Sequence, residues 1–228
     1  MSHSPDAIAN RDYRVNISNY FSNGWDLFKQ YALPFVGYFI LTILIAGALS
    51  ALPYPLGLDF SRERSGGGIV ANILSPVLSA GMFIVAFKLE KGQSVTFSDF
   101  FRGFNNFLQI FLVNLVAGLL TFVGLILLVI PGIYLAVSYF FAMPLVLEKR
   151  FEFWTALETS RKLVTKQWFS IFGFGFLIGL LNFAGALLCG LGLLVTVPWS
   201  ICIIVSAYTD IVGLNGSSPD ETPLNDSV

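Results

Sequence analysis

Residues 103–147, GFNNFLQIFLVNLVAGLLTFVGLILLVIPGIYLAVSYFFAMPLVL, contain no Asp, Glu, Lys or Arg. A helix that crosses about 30 Å of hydrocarbon needs roughly 20 apolar residues at 1.5 Å each. The run is too long for one crossing, so it must fold back on itself. Pro131-Gly132 is the break: proline has no amide hydrogen and suits a first helical turn, and glycine relaxes the turn.

Working outward, three more stretches lack those four residue types: 32–58, 66–87 and 167–209. The last must also fold back, at Gly190, Gly192 and Pro198. Six spans result, over residues 32–52, 69–87, 104–129, 131–147, 168–188 and 195–212. The fourth is barely long enough, so 125–130 reads as an apolar turn near the bilayer surface. The expected fold class is an all-α polytopic transmembrane bundle, one domain over 13–213. Polar residues 1–12 read as a disordered N-terminus, and 214–228 as a disordered tail rich in Gly, Ser, Pro, Asp, Glu and Thr. The first apolar run starts late, is long and has no convincing cleavage site, so no signal peptide is expected.

Composition agrees. The 228 residues are 55% apolar and only 12% charged, where an ordinary soluble domain carries about 25% charge. Mean hydropathy is +0.75, which also excludes a disordered chain. A net charge of −1 offers nothing to nucleic acid, and two cysteines make no disulfide scaffold.

Of the 13 Lys and Arg residues, all but Arg62 and Arg64 fall on the side that holds both termini when six spans are drawn. Positive charge is retained in the cytoplasm, so both termini are expected there. Around the spans lie apolar stripes: Tyr13, Ile17, Tyr20, Phe21, Trp25 and Phe28 before the first, and Phe97, Phe100, Phe101, Phe104 and Phe107 before the third. Before the fifth, Phe151, Trp154, Leu157, Val164 and Trp168 share a face opposite Glu152, Glu158, Arg161, Lys162 and Lys166. Such helices are expected to lie at the cytoplasmic headgroup zone, either as connectors or as a surface for anionic lipid. Trp154, Arg161, Lys162, Lys166 and Trp168 are the candidate lipid contacts.

The unit of amphipathic segment, outgoing span, turn and returning span recurs three times. Asn114 is followed by Leu119, Leu120 and Gly124, and Asn182, at the same offsets, by Leu187, Leu188 and Gly192. Pro131 and Pro198 follow. The first unit matches more loosely, and low complexity is the competing source of such coincidences.

Pro131-Gly132-Ile133-Tyr134-Leu135, Pro144-Leu145-Val146 with Glu148, Ala156-Leu157, Ser160, Trp168, the glycines of the fifth span and Pro198 together resemble a broad family of bacterial membrane proteins. These are the YciC-like proteins and the membrane domain attached to some glycerophosphoryl diester phosphodiesterases. The resemblance implies a six-helix protein of the bacterial inner membrane without an established activity. The phosphodiesterase activity is not implied, because the chain has no room for that soluble domain.

Chemistry is sparse. The expected spans hold no ionisable residue in their interiors, and Asp210 is the nearest, so proton-coupled transport is disfavoured. His3 is the single histidine, which argues against a Ser-His-Asp site and a histidine metal site. Gly66-Gly67-Gly68 lacks the Lys-Ser/Thr of a phosphate-binding loop and reads as a flexible loop. No cofactor is expected. Asn114 and Asn182 each need a partner in hydrocarbon: each other, a backbone carbonyl, or a substrate path. Cys189 and Cys202 flank the last turn, as apolar filler or as a bonded pair. Two function classes follow. The first is a non-enzymatic scaffold or accessory factor that contacts membrane lipids and other membrane proteins. The second is a transporter or lipid-handling protein with a cavity between repeated hairpins near the two asparagines.

Overall fold

The computed structural model describes residues 4–51, 66–188 and 190–214. In chain order these form α1 (Pro5–Ala9), α2 (Ile17–Gln30), α3 (Ala32–Ala51), α4 (Gly66–Glu90), a 3-10 helix (Phe97–Asn106), α5 (Phe107–Leu127), α6 (Val129–Ser138), α7 (Ala142–Lys149), α8 (Phe153–Thr165), α9 (Trp168–Leu187) and α10 (Leu193–Val212). Among the described residues no strand forms.

Proline sets several boundaries. Pro34, Pro131 and Pro144 each stand third in their helix, where the backbone amide has no helical partner to lose. A proline ring excludes the carbonyl four residues back. For Pro34 and Pro131 that residue is Gln30 and Leu127, the last of α2 and of α5. For Pro144 it is Phe140, inside the break between α6 and α7. The same rule fits the ends of α2 and α5 and the break after α6, while Pro76 and Pro198 are accommodated inside α4 and α10.

Five stretches are long and apolar enough to cross a membrane: Ile73–Glu90, Phe97–Leu127, Val129–Lys149, Trp168–Leu187 and Leu193–Val212. A sixth exists only if α2 and Ala32–Ala48, bent by 86°, count as one. This architecture is compatible with a membrane protein. Its outer faces agree, because Leu119, Ile126, Phe176 and Leu187 are each more than half exposed, an apolar surface suited to lipid rather than water.

Several boundaries differ from the sequence reading. The α-helix of the third expected span, α5, starts at Phe107, because 104–106 belong to the 3-10 helix that precedes it. Gly66–Gly68 is the first turn of α4 and not a loop. The apolar turn over 125–130 shrinks to Leu128, the one extended residue between α5 and α6. Residues 5–9 are helical and not disordered: Pro5 opens α1, the Ser4 hydroxyl caps it, and Ile8 and Ala9 are buried, with α1 packed on α8. Of the expected tail 214–228, Leu214 is buried, and residues 215–228, with Cys189, His3, Arg62 and Arg64, lie outside the described residues.

Packing is densest at one end. The second half of α4 and of α10 is buried nearly throughout, and Phe87 meets Tyr208 edge-on at 5.3 Å. Helix α2 runs antiparallel to α10: Tyr20 bonds Asp210, Gly24 lies on the Ile203 backbone, and Trp25 meets Trp199 at 4.8 Å. On the other flank the 3-10 helix sits on α4 through two glycines. A methyl on Gly103 would stand 2.6 Å from the Val77 carbonyl oxygen, and one on Gly81 would run into the Phe100 carbonyl. Tyr38 closes the junction, stacked on Phe100 at 4.4 Å and donating to the Leu78 and Phe100 carbonyls at 3.0 and 3.3 Å. Gly81→Ala should therefore destabilise by about 1–3 kcal/mol, because backbone cannot yield as a side chain does. Gly37→Ala is the control, since a methyl there meets nothing within 4 Å and gains helix propensity. Equal melting temperatures for the two variants would refute the close approach.

Candidate functional site

At the densely packed end a polar cleft of about 610 Å³ opens between the N-terminal arm, α2, the end of α4 and the end of α10. The arm is held down by hydrogen bonds, from Arg11 Nη1 to the Val212 carbonyl at 2.8 Å and from Tyr13 Oη to the Leu163 carbonyl at 3.1 Å. Burial pushes the Tyr13 phenol up to about 12, so it stays a donor. Asn16, Asn19, Tyr20 and Asn23 bring the polar face of α2 to the cleft, opposite Ser206, Thr209, Asp210 and Glu90. The Tyr20 hydroxyl donates to Asp210 Oδ2 at 2.6 Å. Behind the same turn of α2 lies an apolar groove of about 350 Å³, lined by Ile17, Ser18, Phe21, Leu177, Leu180, Leu181 and Ala184.

The sequence-chosen residues fall elsewhere. Asn114 Nδ2 donates to the Ile110 carbonyl at 2.8 Å, and Asn182 Nδ2 to the Ile178 carbonyl at 3.0 Å. These are matching bonds within α5 and within α9, each to the carbonyl four residues back. Asn182 alone also crosses to a second helix, to Ser200 Oγ at 2.8 Å. Neither asparagine lines the two described cavities, although the groove's α9 wall, at Leu180, Leu181 and Ala184, brackets Asn182 in the chain. Asn182→Leu should lower stability by about 1 kcal/mol, and Asn114→Leu by less, because no interhelical bond is lost. Thermal unfolding in detergent reads the difference, and the reverse order would contradict this geometry.

On α8, the Glu158 carboxylate takes both Arg161 nitrogens, at 2.9 and 2.7 Å. Arg161 holds the Glu158 carboxyl below its ordinary range. Lys162 stands 3.8 Å from Glu158 and 4.0 Å from Asp6, and Lys166 3.6 Å from Asp12. Trp154 is well exposed, away from the buried face formed by Ala156, Leu157, Ser160, Leu163 and Val164. Trp168 turns inward, stacking on Tyr134 and donating to its carbonyl at 3.3 Å. Pro131 and Gly132 form the first turn of α6, where Gly132 abuts Gly124 and Leu125 of α5. Gly192 abuts Gly185 in the last hairpin, and Pro198 is buried inside α10. Cys202 is buried in α10.

Two side chains that matter were not singled out for these roles. Buried Asp99 accepts from Lys88 Nζ and the Thr96 amide at 2.8 Å each and forms an ion pair with Arg102 Nε, also at 2.8 Å. The spacing Thr96 to Asp99 before a helix was its available signal, a capping box with Asp in the acceptor position. Ser160 Oγ donates to the Ser138 carbonyl at 2.7 Å and accepts from the Phe141 amide at 3.2 Å, which repairs the break between α6 and α7. Buried Glu148 pairs with Lys91 at 2.8 Å. Among the described residues no three His, Cys, Asp or Glu side chains come together as a metal set. No family model, curated protein or solved structure matches the chain.

Proposed function

We propose that the chain is a non-enzymatic integral membrane protein of the bacterial inner membrane, a scaffold or accessory factor that contacts anionic lipid from its basic end. The observation that carries this reading is the outer face of α8, where exposed Trp154 and the ammonium groups of Lys162 and Lys166 stand on one short helix. Indole and basic side chains together suit the headgroup zone. The non-enzymatic reading is supported by what the ionisable groups do: Asp99 and Glu148 join elements as ion pairs, and Glu158 is taken up by Arg161 within α8. Cytoplasmic termini are supported by the bond from Arg11 to Val212, which brings both ends of the described chain to the basic end. The three-fold repeat is supported by the element order of short helix followed by two apolar segments, in α2-α3-α4, in the 3-10 helix with α5 and α6-α7, and in α8-α9-α10. The likeness to the YciC-like proteins rests on the sequence motifs alone, among which Tyr134, Ser160 and Trp168 join α6, α8 and α9.

The test is fluorescence quenching in lipid nanodiscs by phospholipids spin-labelled at the headgroup, reading the difference between the full chain and Trp154→Phe. A basic residue near an anionic surface contributes about 1 kcal/mol. The anionic quencher should therefore outperform the zwitterionic one, and Lys162→Gln with Lys166→Gln should erase most of that excess. Equal quenching by both lipids sinks the reading.

A further inference from the structure

The polar cleft carries charges of both signs on opposite walls, and their commitments differ. Arg11 is bonded to the end of α10, and Asp210 to Tyr20. Arg14, on the arm, and Glu90, the half-buried last residue of α4, line the same cleft. Among the described residues no hydrogen bond or ion pair reaches either side-chain charge. Solvent-exposed Arg14 and half-buried Glu90 therefore enter the cleft uncommitted, beside exposed Asp12, which Lys166 approaches at 3.6 Å. A lone anion would satisfy Arg14 and be repelled by Glu90 and Asp210. A lone cation would meet the converse at Arg14. Charge complementarity selects a molecule with a phosphate and an ammonium a few bonds apart, and a carboxylate in a partly desolvated cleft favours a cation that can donate hydrogen bonds.

The apolar groove identifies the rest of that molecule. Successive residues of the first turns of α2 alternate between the two cavities: Asn16, Asn19 and Tyr20 face the cleft, and Ile17, Ser18 and Phe21 the groove. The groove's far wall is the lipid-exposed helix α9. We propose that this place binds one phospholipid with a zwitterionic, primary-amine headgroup, its phosphate at Arg14, its ammonium at Glu90, and an acyl chain over α2 in the groove. No residue of α8 lines this site, although Lys166 at the end of α8 adjoins it through Arg11 and Asp12; its test reads amine-headgroup selectivity, which the anionic-lipid reading does not predict.

The experiment is native mass spectrometry of the delipidated full-length protein in detergent, with dioleoyl phosphatidylethanolamine, phosphatidylcholine or phosphatidylglycerol added in turn. One phosphatidylethanolamine per chain should be retained, with about tenfold tighter binding than phosphatidylglycerol, the scale of one charge-assisted hydrogen bond. Phosphatidylcholine, which keeps the charge but has no N–H, should bind more weakly than phosphatidylethanolamine, a comparison that needs no mutation. Glu90→Gln should remove the preference by weakening phosphatidylethanolamine and relieving the repulsion of phosphatidylglycerol, and Arg14→Gln should weaken all three. Equal retention of the three lipids in the unmodified chain overturns the proposal, as does a Glu90→Gln chain that keeps the preference. Competition by soluble glycerophosphoethanolamine at the lipid's own concentration also overturns it, because the groove would then contribute nothing.

Discussion

Asp99→Ala is expected to lower the unfolding free energy by about 3 kcal/mol, near the lower end of the cost of breaking a buried ion pair. The carboxylate is 1% exposed, and its loss strands Lys88 and Arg102. Both cations are more exposed than the aspartate, at 21% and 59%, and the hydration they keep moderates the loss. The Thr96 amide also loses its acceptor, so the 3-10 helix should detach from α4 before the rest melts. Asp99→Asn retains that acceptor and should recover part of the loss. Equilibrium unfolding in mixed micelles reads both. A loss under about 1 kcal/mol for alanine would mean that water replaces the carboxylate without difficulty.

Ser160→Ala should cost about 2–4 kcal/mol, because one hydroxyl serves two backbone groups and each orphaned buried group costs about 1–3 kcal/mol. The groups are the Ser138 carbonyl and the Phe141 amide, left open in the break between α6 and α7. Ser160 is fully buried, so water reaches the gap poorly. Cysteine in its place, a weak donor and acceptor, should rescue only partly. Unchanged melting in Ser160→Ala would show that α6 and α7 close the gap by themselves.

The apolar helices were legible because their signal is local. The charge-free run behind the expected span 168–188 emerges as Trp168–Leu187, and the one behind 195–212 as Leu193–Val212. A run without charge needs only its own residues to announce itself. Pro131 and Pro198 were both read as breaks, but Pro198 lies inside α10, after the turn it was expected to make; Pro34 and Pro144 mark the bend after α2 and the break before α7. The arm was misread because its few polar residues cannot order alone: Ile8 and Ala9 find their burial on α8, far along the chain. The cleft was invisible for a related reason. Arg14, Glu90 and Asp210 come from three separate stretches, each unremarkable at the end of a helix or in a linker. Their meeting depends on α2 packing against α10, and there Gly24, which no periodicity flags, permits the approach.

The clasp between the two ends of the chain also has a temporal meaning. Arg11 reaches across 201 positions to Val212, and Tyr13 across 150 to Leu163. During synthesis the first helix exists long before its seat does. At about 5–20 residues per second, the arm waits roughly 10–40 seconds for the last hairpin to emerge and insert. Contacts of such separation form late, so fastening the arm is a completion signal for the whole insertion sequence. A chain whose last hairpin fails to insert should display a loose N-terminus to proteases, while one that has finished hides it.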